Sequence, residues 1–131
     1  AEGAAQLLGN YVPEQVTDDM PSTMQEAHEY YRTPRAGHPR SENKVSLVSM
    51  HNIFTFEAFH LMDKLLTQPL LMVVGSKSDA FYLSERAIDR AASKDKELYV
   101  INDATHVDLY DRQPYVGQAF EKLADFFGKK L

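Results

Sequence analysis

The chain has 131 residues, the size of one ordinary domain. Its 14 Lys and Arg against 19 Asp and Glu leave a net charge of −5 with no basic block. That argues against a nucleic-acid binder, whose affinity rests on neutralising phosphates. The longest apolar run, Leu70 to Val74, is far too short to span a bilayer. The absence of cysteine excludes a disulfide scaffold, a thiolate zinc site and a cysteine nucleophile.

Residues 1–44 are punctuated by Pro13, Pro21, Pro34 and Pro39 and by Gly3, Gly9 and Gly37, with weak apolar periodicity. They are expected to form an irregular, arm-like segment ahead of the domain proper at 45–131. No apolar signal segment opens the chain, and a cytoplasmic location is expected. The start at Ala1 fits a processed or partial polypeptide. Within the arm, a short helix is expected from Ser22 through Tyr31, with Ser22 as N-cap and Gln25 completing a capping box. The stretch from Tyr30 to Arg40 reads as a loop carrying Arg32, Arg35 and Arg40. Those arginines either bind an anionic substrate or pair with carboxylates at a surface.

Ile53, Phe54, Phe56, Phe59, Leu61, Met62, Leu65 and Leu66 recur at three- and four-residue spacing, which predicts an amphipathic helix over about 52–66. Phe54, Phe56, Phe59 and Met62 then belong either to the core or to an acyl pocket. Leu70 to Val74, wholly apolar and stopped by Gly75, reads as a strand buried on both faces of a parallel sheet. A helix capped by Ser84 is expected to run to about Ser93. A second strand covers Glu97 to Ile101, and a last helix starts near Pro114, capped by Asp111 and closed by Gly128. It would place Val116, Phe120, Leu123 and Phe127 on one face. The order strand, turn, helix, strand, loop, helix makes the two strands parallel neighbours. Two parallel strands do not form a stable sheet by themselves, so further strands from elsewhere are expected.

In such sheets functional groups gather beyond the carboxyl ends of the strands. Asp79 follows the first strand and His106 the second, so the two turns lie side by side. A carboxylate beside an imidazole fixes its tautomer and stabilises the imidazolium during proton transfer. Asp79 and His106 are thus candidate acid and base of a nucleophilic triad. The plainer readings are a turn or capping carboxylate for Asp79 and a surface histidine for His106. Asp108 stands too near His106 in sequence to reach its far nitrogen and is expected to hold backbone amides of the loop. His28, His38, His51 and His60 show no metal-ligand spacing, and no metal site or cofactor is expected.

Pro69 to Asp79, then Asn102-Asp-Ala-Thr-His106-Val-Asp-Leu-Tyr-Asp111, then Phe120 to Phe127, resembles the C-terminal part of α/β-hydrolases. The closest likeness is to microbial members related to dienelactone hydrolases, in which such a His-Val-Asp-Leu-Tyr-Asp string follows the last strand. The segment from Tyr30 to Pro39 resembles the stretch that precedes that part. The resemblance implies an incomplete parallel sheet with flanking helices and a serine hydrolase of ester-like or lactone-like bonds. His106 would be its base, Asp79 its acid, and a small ester-like molecule its substrate. The Gly-x-Ser-x-Gly nucleophile elbow is absent, as is the family's oxyanion loop. Many members also place the acid three residues after the turn glycine, where this chain has Ser78. The serine and the missing strands are therefore expected from an N-terminal half or an oligomer mate. The alternative is a non-catalytic interaction or regulatory module derived from a hydrolase tail.

Overall fold

The computed structural model describes residues 6–130, and internal contacts divide the chain after Glu57. The sequence-based division at 44/45 falls inside a strand of the first unit. In that unit β1 (Leu7–Gly9) pairs antiparallel with β2 (Lys44–Ser46), placing Leu8 opposite Val45. Asn43 adopts the left-handed conformation that Asn tolerates better than most residues. Its side-chain amide accepts from the Val12 N–H at 2.8 Å and donates to the Val12 carbonyl at 2.7 Å. A side chain thereby continues the ladder by one step.

The helix α1 (Ser22–Tyr31) covers the expected residues, but its cap differs. Pro21 is the N-cap, because its ring fixes φ while its extended ψ places the carbonyl to accept from Met24 and Gln25. Ser22 is already helical, and the Gln25 amide donates instead to the Met20 carbonyl. Arg32 bonds both oxygens of Glu14, at 2.9 and 3.1 Å, and Arg35 pairs with Glu29. These two arginines are engaged by carboxylates. The first unit ends with α2 (Leu47–Thr55).

The helix expected over 52–66 is broken. Helix α2 stops at Thr55, Phe56 is extended, and a single turn, α3 (Met62–Leu65), restarts after Leu61 in left-handed conformation. Ile53, Thr55 and the phenylalanines are mediocre helix formers, and Phe54 and Phe56 are almost fully exposed, so little packing rewards a continuous helix. Neither of those two residues is core in this chain.

The second unit is built on β3 (Leu70–Gly75) and β4 (Lys96–Ile101), paired in parallel with Leu70 opposite Lys96 and Gly75 opposite Ile101. Helix α4 (Phe81–Arg90) crosses between them and packs on both. Ser84 lies inside this helix rather than at its cap. The one-turn α5 (Asp108–Asp111) follows β4, so Asp111 ends that turn and does not cap the last helix, α6 (Tyr115–Lys130). Gly128 does not close α6, which runs on to Lys130. A small core of Val74, Ala87, Ala91, Ile101, Ala104 and Val107 holds these elements together. The chain is of the mixed α/β class.

Two surfaces of this unit stand without cover from the described residues. Strand β3 pairs with β4 on one edge and with no other strand, and Leu70 to Val73 are half-buried. Helix α6 lies against both strands but turns Phe120, Leu123 and Phe127 to solvent, with Phe120 70% exposed. Of the expected apolar face, Val116 is half-buried and the other three residues face outward. No helix among the described residues is long and apolar enough to cross a membrane.

Candidate functional site

The site lies where β3 and β4 end, in two turns tied to each other by backbone bonds. Ser76 N–H donates to the Ile101 carbonyl and Lys77 N–H to the Ala104 carbonyl, each at 2.9 Å. The Ser76 hydroxyl accepts from the Asp103 N–H at 2.9 Å. Gly75 permits this approach, since a methyl group there would meet the Ala104 carbonyl oxygen at 2.2 Å. Asp103 adopts a left-handed conformation, and its carboxylate meets Lys77 Nζ at 2.9 Å. Each partner stabilises the other's charge, which raises the Lys77 ammonium above its ordinary range and holds the Asp103 carboxyl below its own. Both are exposed, so the pair contributes little to stability.

Ser78 is buried at the start of the connection to α4. Its hydroxyl accepts from the Ala80 N–H at 3.2 Å in a turn ahead of α4, whose N-cap is Ala80 rather than the expected Ser84. Asp79, next in the chain, is exposed and has no hydrogen bond or ion pair among the described residues. The fold brings Asp79 to the same end of the sheet as His106, but their side chains are not joined.

His106 sits on the loop after β4, one residue before the short helix α5 begins its cap at Val107. Its Nε2 lies 2.7 Å from the Tyr110 hydroxyl, and the two rings meet edge to face with centroids 5.3 Å apart. The loop is braced from within. Asp108 Oδ2 accepts from the Thr105 N–H at 3.0 Å, and the Thr105 hydroxyl accepts from the Asp108 N–H at 3.3 Å. This is the amide-holding role expected of Asp108, and Arg112 pairs with the same carboxylate.

His106 and Tyr110 open onto a cleft of about 320 Å³, within the size range of small-molecule sites. Its walls are mostly apolar, from Phe59, Met72, Val74, Leu83 and Leu109, with Ser84 as a further polar group. Phe59, from the expected aromatic cluster, thus lines this cleft. A second cleft of about 360 Å³ lies in the first unit, lined by Tyr11, Tyr31, Arg32 and Asn43. Of its charged groups, Arg32 bonds Glu14 through its terminal nitrogen while its Nε is buried without a hydrogen-bond partner, and Lys44 lies 3.5 Å from Glu42. Among the described residues no three His, Asp or Glu side chains are placed to hold a metal ion.

Sequence reasoning missed Tyr110 and Ser78. The spacing of His106 and Tyr110, four residues apart, was the available signal, since one helical turn brings such positions together.

No family model matches the chain. It is 38% identical over 119 residues to an uncharacterized protein of Escherichia coli, YcjY, covering 91% of this chain and 39% of that protein. It is 35% identical over 107 residues to the uncharacterized protein PA2218 of Pseudomonas aeruginosa, covering 79% of this chain and 28% of that protein. The crystal structure of the hypothetical protein PA2218 superposes with a TM-score of 0.84 at 28% identity, over 97% of this chain and 39% of that chain. The fold is thus similar to that of a natural protein over nearly the whole length. The chain spans about two fifths or less of the relatives it matches.

Proposed function

We propose that this chain is the C-terminal portion of an α/β-hydrolase that cleaves ester-like or lactone-like bonds. The observation that carries the reading is the placement of His106, on a braced loop past the end of β4 and at the mouth of an apolar cleft. The open edge of β3 and the outward apolar stripe of α6 support a sheet completed by strands outside the chain. The greater length of the relatives gives those strands a source.

In this reading a serine from the completing segment attacks the substrate carbonyl. His106 Nε2 takes the hydroxyl proton and later passes it to the leaving group. Asp79, without another partner among the described residues, supplies in this reading the carboxylate for Nδ1. Backbone amides of the completing segment stabilise the oxyanion. No cofactor enters the reaction, and the chain by itself does not turn over substrate.

A fluorophosphonate probe tests this. It is expected to label a serine outside this chain in the assembled protein and to leave the 131-residue chain unlabelled. An unlabelled assembly, or labelling of Ser84 in the isolated chain, contradicts the reading. One observation favours the rival: Asp79 stands apart from His106, as it would in a non-catalytic module. A 14.9 kDa monomer that melts cooperatively, with no labelled partner, would support that module.

A further inference from the structure

We propose that Tyr110 is a positioning residue that holds His106 in the tautomer needed by a base, its phenol occupying the place of the incoming nucleophile hydroxyl. The proposal rests on the hydrolase reading for its purpose and on the geometry for its substance.

Among the described residues, the one hydrogen bond of the His106 ring is the 2.7 Å contact between Nε2 and the Tyr110 oxygen. Either group can supply the proton. A phenol is the more acidic donor and an imidazole nitrogen the better acceptor. The length matches the usual range for an O–H donor and is short for an N–H donor, whose common distance is about 2.9–3.0 Å. In the proposed arrangement the hydroxyl donates, Nε2 accepts, and the ring proton resides on Nδ1. A serine-type triad requires the same distribution: a lone pair on Nε2 facing a hydroxyl, and a proton on Nδ1 facing a carboxylate.

Two features make the arrangement a built one. His106 precedes and Tyr110 lies within the single helical turn α5, and that turn is fixed by the Thr105–Asp108 bonds and the Asp108–Arg112 pair. Both rings face the same cleft, so a hydroxyl approaching Nε2 from the completing segment arrives where the phenol already stands. When it arrives, the serine O–H replaces the tyrosine O–H at Nε2 and no proton on the ring has to move.

The test is 15N-histidine NMR of the 131-residue chain at a pH where His106 is neutral, with its signals identified by their loss in His106→Gln. The expected result is the Nδ1–H form for His106. Tyr110→Phe is expected to shift the tautomer ratio toward Nε2–H by about fivefold, the equivalent of one ordinary hydrogen bond. A His106 that is Nε2–H in the unaltered chain overturns the proposal, and this readout needs no variant to fold. An unchanged ratio in Tyr110→Phe also overturns it. The assembled protein separates this proposal from the hydrolase reading. If His106→Ala retains turnover there, the hydrolase reading fails by itself, whatever the tautomer shows. If His106→Ala abolishes turnover while the tautomer ignores Tyr110, Tyr110's role fails and the reading stands.

Discussion

Gly75 and Ala104 approach so closely that a methyl group on the glycine would lie 2.2 Å from the alanine's carbonyl oxygen and 2.8 Å from that of Thr105. The glycine ends β3, and the carbonyls belong to the loop that carries His106. Both obstacles are backbone, so they cannot rotate out of the way. Gly75→Ala is expected to destabilise the chain by about 1–3 kcal/mol, the usual cost of overpacking. It should also displace His106. Urea unfolding measures the first effect, and a change in the His106 ring resonances reports the second. Unchanged stability and spectra would show that the loop yields freely.

Asp108 braces the same loop through the Thr105 amide. Asp108→Ala leaves that N–H without its acceptor and is expected to cost about 1–3 kcal/mol. Asp108→Asn retains an oxygen at the same place and should recover most of the loss. Hydrogen exchange at the Thr105 amide is the direct readout: faster in the alanine variant, near normal in the asparagine variant.

The apolar stripe of α6 would distinguish the isolated chain from the proposed assembly. Phe120 is 70% and Phe127 50% exposed, so Phe120→Ser or Phe127→Ser should move the stability of the chain alone by about 0.5 kcal/mol or less. In an assembly that buries the stripe, the same changes should cost about 3–5 kcal/mol, as for buried aromatics generally. Thermal melts of both species, with and without the substitution, make the comparison. An equal small effect in both would remove the stripe from the assembly surface.

Glu14 carries a pH signature. The Asn43 side-chain amide, and after it the Arg32 guanidinium, stabilise the Glu14 carboxylate and hold its pKa below the ordinary value. A lowered folded-state pKa gives a contribution that is present above the unfolded value and lost as pH falls through the folded one. Carboxyl 13C NMR should therefore show Glu14 titrating below the usual glutamate range, and Asn43→Ala should move its midpoint upward. A midpoint unaffected by that change would mean the amide does not bear on the carboxylate in solution.

Much of the second unit was legible from residues alone, because its signals are local. An apolar run closed by glycine marks β3, a helical stretch follows, and a second strand ends just before His106. The role of Asp108 was legible for the same reason. What escaped depended on partners distant in sequence or on competition within one turn. Strand β1 is three residues long and is defined by β2, far along the chain, with the Asn43 side chain extending the pairing. The helix over 52–66 failed because periodicity says nothing about whether Phe54 and Phe56 find a surface to bury against. The cap assignments failed because each helix begins earlier in the chain, after Pro21 rather than Ser22 and after Ala80 rather than Ser84. Tyr110 gives no signal apart from its spacing to His106, and it takes one turn of helix to place its hydroxyl on the histidine.

The claim at the centre is that His106 is the base of a serine hydrolase whose nucleophile lies outside this chain. Turnover of a simple ester by the assembled protein, compared with His106→Ala at equal folded concentration, tests it most directly. The account predicts a loss of more than about 10³-fold, in line with removal of a triad base. A variant within about tenfold of the parent, folded and assembled, would be inconsistent with base catalysis by this residue, since general-base removal typically costs 10² or more.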